Sequence, residues 1–134
     1  MVALMKIGEA SEWAGLPEKT IRYYEEIGLV SPIRSENGYR QFRASDIQSL
    51  KIIKGARELG FTIEDSRTLL SLFLDENRTS SDVKALATRQ LEKTQEKIKQ
   101  LVKLSELLDH LTNECQGNGH ADCAILNFLA GAKN

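Results

Sequence analysis

Between Thr79 and Glu114 the chain contains neither glycine nor proline, and this uninterrupted stretch limits what the rest can fold into. Thr79-Ser80-Ser81-Asp82 is a dense helix-start signal, offering oxygens to the first free amides and an acid to the helix dipole. Val83, Ala87, Gln90, Thr94, Ile98, Leu101, Leu104, Leu108 and Leu111 then recur near heptad spacing, with Lys and Glu on the other faces. At ~1.5 Å per residue such a helix runs roughly 50 Å. A chain of 134 residues leaves too small a body to cover that stripe. A seam sustained over about four heptads needs a partner helix. The simplest partner is the same helix of a second copy, and the seam alone does not choose parallel or antiparallel.

The apolar content of 41% suffices for a core, while 6% aromatic residues is low for a β-sandwich or barrel. Lys6, Glu9 and Glu12 interrupt the first apolar stretch, so no signal-peptide core is present. No run approaches the roughly 20 apolar residues of a membrane helix. The reading is a mainly α, cytoplasmic chain with no membrane partner, and in that compartment a structural disulfide would be reduced. A net charge of −1 announces no nucleic-acid partner by itself. Distribution matters more. Arg34, Arg40, Arg43, Lys51, Lys54 and Arg57 face only Glu36 and Asp46 in the same stretch, a local excess that suits phosphates and equally suits a solvated face.

The first half alternates short helical patterns with turn signals. Ile7, Ala10 and Ala14 fall at helical spacing before Gly15, and a second short helix follows from Glu18 to Ile27, ended by Gly28. Two short helices around a tight glycine turn form a helix-turn-helix unit. On the second helix Lys19, Arg22, Tyr23 and Glu26 share one face, while Ile21 and Tyr24 point toward a core. Asn37-Gly38 is a hairpin signal whose two turn residues are both expected at positive φ. It makes residues 31–42 a two-stranded wing, leaning on the helices through Phe42 or Ile33. Ser45-Asp-Ile-Gln48 reads as a capping box opening a third helix, and Thr62-x-x-Asp65 opens a fourth.

Cys115 and Cys123 are the two cysteines, set in CQGNGHADC ahead of the apolar turn AILNFL. A thiol at a helix start has a lowered pKa, so Cys123 should form a thiolate readily. Three readings stand side by side. A permanent disulfide conflicts with the compartment. A tetrahedral zinc site needs four ligands, for which His120 and Asp122 would have to join the cysteines. A two-thiolate site suits a soft ion of linear coordination, and Cu(I) is the usual biological candidate.

Assembled in this order, IRYYEEIGLV (21–30), RSENGYR (34–40), ARELGF (56–61), SSDVK (80–84) and CQGNGHADCAIL closely resemble the MerR family of bacterial transcription regulators, in its copper(I)-sensing, CueR-like branch. The resemblance covers nearly the whole chain. It implies a winged helix-turn-helix DNA-binding domain over 1–74, a hinge and antiparallel coiled-coil dimerisation helix over 75–114, and a metal-binding loop with a short helix over 115–134. It implies a homodimer on double-stranded promoter DNA that underwinds the site when metal binds, so that RNA polymerase engages both promoter elements and efflux or detoxification genes are activated. Carried over by motif, Lys19, Arg22, Tyr24, Arg34, Tyr39, Arg40 and Arg57 are the DNA contacts, mainly to phosphates. Cys115 and Cys123 are the metal ligands. Ser80 stands where divalent-ion sensors of the family carry a third cysteine donated by the partner, which points to Cu(I), with Ag(I) or Au(I) as substitutes. Pro17 departs from the Ser or Thr usual at that helix start.

Three alternatives remain at this stage: a Zn(II)-responsive regulator, a thiol-redox regulator of the same fold, and a dimeric metal buffer that binds no promoter. No constellation of base, nucleophile and orienter suggests an enzyme.

Overall fold

The computed structural model describes residues 4–131, and these divide into two compact units, one up to Gln90 and one from Leu91. The first unit begins with α1 (Ile7–Ala14) and α2 (Glu18–Glu26). Between them Gly15 takes φ 70°, and the Lys54 ammonium lies 2.7 Å from where a Cβ would stand. Any side chain at this position would therefore meet both backbone strain and a cation. Strands β1 (Ile33–Arg34) and β2 (Arg40–Gln41) follow, paired antiparallel with Ile33 opposite Gln41 and Arg34 opposite Arg40.

The wing's turn differs from the expected one. Gly38 alone takes positive φ, at 82°, while Asn37 does not. The Gly38 amide donates to the Ser35 carbonyl at 2.9 Å, and the Ser35 amide donates to Tyr39 O at 2.9 Å. This is the longer hairpin turn closed by a left-handed glycine, so the Asn-Gly pair signals the hairpin but not its turn type. Of the two candidate anchors, Phe42 is 0% exposed and Ile33 is 41% exposed, so Phe42 holds the wing down. Its backbone exchanges both hydrogen bonds with Met5, at 2.8 and 2.7 Å, pinning the chain ahead of α1 to the wing.

Helix α3 (Ala44–Glu58) starts before the Ser45–Gln48 box, and that expectation is corrected. Asp46 accepts from the Arg43 amide at 2.8 Å and from its Nε at 3.0 Å. The acid at the third helical position thus caps the chain two residues earlier, with Arg43 as the N-cap. Thr62 caps α4 (Ile63–Leu74) as expected, its Oγ1 accepting from the Asp65 amide at 3.0 Å. One core gathers Ala10, Ile21, Tyr24, Phe42, Leu50, Ile53 and Leu70 with their neighbours. Arg67 on α4 donates to the Ile27 carbonyl at 2.7 Å, tying the end of α2 to α4.

Helix α5 (Ser80–Glu114) fulfils the long-helix expectation. Its first turns belong to the first unit, where Leu86 joins Ala56 and Phe61 in a second core cluster. Gln90 donates to Leu59 O at 3.2 Å and lies across Gly60. In the second unit Leu91, Ile98, Leu101, Leu104 and Leu108 are exposed on α5, and the short α6 (Ala124–Leu129) closes the described chain. No described helix is long and apolar enough to cross a membrane.

Phe42 anchors strands only two residues long, so Phe42→Ala is expected to destabilise the first unit by about 3–5 kcal/mol. Equilibrium denaturation of the variant against the parent measures this, and a loss under about 1 kcal/mol would place the anchor elsewhere.

Candidate nucleic-acid interface and thiol pair

Helix α2 sorts its residues as its periodicity demands. Ile21 is fully buried, while Lys19, Arg22 and Tyr23 are exposed. Tyr24 is 6% exposed and its ring packs in the core, as helical periodicity expects. It still lines a cleft of about 340 Å³ with Lys19, Thr20, Tyr23, Arg57 and Ile63. Arg57 lies at the edge of this cleft, but its Nη1 donates to the Phe61 carbonyl at 2.6 Å, so one of its nitrogens is committed to the α3–α4 turn.

The wing's arginines are held by a residue that sequence reasoning missed. Glu25 Oε1 accepts from Arg34 Nη2 at 2.9 Å and from Arg40 Nε at 2.8 Å. Arg34 also donates to the Gly38 carbonyl at 2.9 Å, closing the turn it precedes. One carboxylate on α2 therefore bonds both strands of the wing to that helix. The acid is only 17% exposed, which limits the screening that weakens surface pairs. No sequence signal marks it, because its partners are nine and fifteen residues away on another element. Tyr39 is exposed near the turn.

In the second unit the structure brings the two sulfurs to 3.3 Å, both half-buried and free. Gly117 at φ 62° helps fold the loop back. Cys123 is the N-cap of α6. Its thiol is pushed below its ordinary value, first by the Leu126 amide, then by the Cys115 thiol and the Ile125 amide, against opposition from burial and Asp122. The helix-start expectation for Cys123 is met. His120 and Asp122 line a separate polar cleft with Glu114, Gln116, Asn118 and Asn127, a cleft to which neither cysteine contributes. Among the described residues no group of three or more His, Cys, Asp or Glu is placed to hold a metal. Ser80 is the exposed first residue of α5.

Residues 5–72 match the MerR HTH family regulatory protein model, and residues 47–111 match the MerR, DNA binding model. The chain belongs to the MerR family. It is a transcription regulator and not an enzyme. It is 48% identical over 126 residues to the HTH-type transcriptional regulator HmrR of Rhizobium leguminosarum bv. viciae, covering 94% of this chain and 98% of that one. It is 41% identical over 128 residues to the HTH-type transcriptional regulator CueR of Yersinia pestis, covering 95% and 92%. Among solved structures it is similar to the regulator PbrR691 of Ralstonia metallidurans CH34 in complex with lead(II), with a TM-score of 0.81 and 32% identity over 93% of this chain and 98% of that one. The MerR-type fold, with its helix-turn-helix and long helix, matches the sequence reading.

Glu25→Gln tests the positioning of the wing in this MerR-family chain. Removing a negative charge favours DNA non-specifically, yet loosening two arginines is expected to weaken specific operator binding by roughly threefold or more. A titration of specific against mixed-sequence duplex checks this, and an improved specificity ratio would refute the positioning role.

Proposed function

We propose that this MerR-family transcription regulator responds to a soft monovalent ion, Cu(I) foremost with Ag(I) or Au(I) as substitutes, and activates efflux or detoxification genes. The carrying observation is the half-buried thiol pair at 3.3 Å with no third ligand gathered beside it in the described chain. Thiolate sulfur is the donor that soft ions select. Two thiols that each release a proton around a +1 ion leave a complex of net charge −1, which the amides at the start of α6 favour. A divalent ion would call for further ligands. The reading places the partner subunit's Ser80, which is neutral, where a third thiolate would otherwise stand.

The exposed row Leu91, Ile98, Leu101, Leu104 and Leu108 supports a homodimer through α5, paired antiparallel as in the family. On this reading each chain presents Lys19, Arg22, Arg34, Tyr39, Arg40 and Arg57 to promoter DNA. Metal loading then underwinds the site for RNA polymerase. The division into a DNA-binding part over 1–74, a dimerisation part over 75–114 and a sensing part over 115–134 belongs to this proposal.

A second reading rests on the same sulfur distance: oxidation could join Cys115 and Cys123 in a reversible disulfide. Mass spectrometry of the cysteines from stressed cells separates the two, since a metal sensor stays reduced.

Cys115→Ser and Cys123→Ser are each expected to abolish induction by Cu, Ag and Au salts while operator affinity changes less than about threefold. A reporter with parallel DNA titrations checks both halves, and Zn or Hg induction in place of Cu would overturn the choice of ion. Binding releases thiol protons, so metal affinity is expected to fall as pH drops. Because the Cys123 thiol is lowered, its share of that dependence fades at a lower pH than an ordinary thiol's would. Metal-buffered titrations across pH measure the slope, and a flat profile would exclude thiolate ligation.

A further inference from the structure

We infer that the cleft between the start of α1 and the wing is a seat for one DNA backbone phosphate, with Lys6 as a contact outside the helix-turn-helix and wing motifs. The inference rests on the DNA-binding reading above and extends its footprint.

The cleft holds about 330 Å³ and is lined by Lys6, Ile7, Arg22, Gly38, Tyr39 and Arg40. Three cations from three separate elements converge there, and no carboxylate lines it. Their remaining donors are largely uncommitted. Arg40 uses Nε on Glu25, and its two terminal nitrogens bond no protein atom among the described residues. Arg22 faces Glu18 only at 3.8 Å, in an exposed i,i+4 pair that salt readily screens. Lys6 makes no ion pair among the described residues. It is the N-cap of α1 and supplies no side-chain cap, so the first amides of that helix add partial positive charge beside it. Glu9 in the same turn is the nearest opposing charge in sequence, and it does not line the cleft.

Two features favour a phosphodiester over a free anion. Arg22 and Tyr39 belong both to this cleft and to the exposed α2 and wing faces, so a continuous backbone can pass from those faces into the seat. The seat is also built at fixed geometry. Met5 is paired to Phe42, which holds Lys6 beside the wing, and Glu25 holds Arg40 in place.

The test uses the full-length protein and an operator duplex recovered by in vitro selection with it. Lys6→Ala is expected to weaken binding roughly fivefold per bound chain at low salt and to lower the slope of log K against log salt by about 0.9 per bound chain. Lys6→Arg should restore the slope. Neutral methylphosphonates placed one at a time along the operator should reveal one position per half-site that weakens Lys6→Ala clearly less than it weakens the parent. An unchanged slope in Lys6→Ala, or additive losses at every methylphosphonate, overturns the seat while leaving the regulator reading intact. So does a slope change that Lys6→Arg fails to restore, or one that comes with a lowered unfolding midpoint, since either marks a structural role. If selection recovers no duplex with the parent chain, the proposed function itself fails, and that outcome is distinct from all the others.

Discussion

The wing of the first unit is held in place by the burial of one aromatic ring. Strands two residues long have too few hydrogen bonds to stand alone in water. Phe42, directly after β2, is fully buried among Ile21, Leu50 and Ile53, so a single side chain seats the wing on both α2 and α3. Its backbone also pairs with Met5, which fixes where α1 begins. Remove the ring, and the wing, the first helix and the exposed face of α2 lose their common reference. The polar contacts refine a geometry that this packing has already set, because net hydrogen-bond energies near ~1 kcal/mol are small beside a buried phenyl ring.

Much of this was legible from residue pattern. The gap in glycine and proline from Thr79 to Glu114 gave a continuous α5, and Ile21 and Tyr24 went to the core by helical periodicity alone. The failures have local causes. Ser45 and Gln48 fit a capping box, but Asp46 can also reach back, and its carboxylate takes the Arg43 amide and side chain together. Asn37-Gly38 flagged a hairpin, but with Arg34 closing on the Gly38 carbonyl the turn lengthens and only the glycine turns left-handed. Tyr24 serves both patterns, its ring in the core and its edge on the cleft that Lys19 and Arg57 line.

The candidate sites differ in how far sequence can reveal them. Cys115 and Cys123 are chemically distinctive and close along the chain, so their meeting needed only a loop able to fold back. Glu25 is an ordinary acid on an amphipathic helix. Its role exists only because the wing returns Arg34 and Arg40 to the same carboxylate oxygen. Long-range polar hubs of this kind leave no periodic trace. They are found by asking where each cation's donors go once the chain has folded. The arrangement also carries an electrostatic cost for DNA binding. An acid that orders two cations removes part of their charge from the phosphate-facing surface, so placement is gained at the expense of potential.

The Arg67 bond to the Ile27 carbonyl spans forty residues and gives the last turn of α2 a protector on α4. Helix ends ordinarily fray by themselves, exchanging their amide hydrogens through small local openings. Here the carbonyl at the end of α2 is capped from another helix, and Gly28 beside it, at φ 78°, lies against the same guanidinium. Release of that turn therefore breaks a bond to α4 as well. The end of α2 is thereby tied to α4, the helix that leads into the segment before α5.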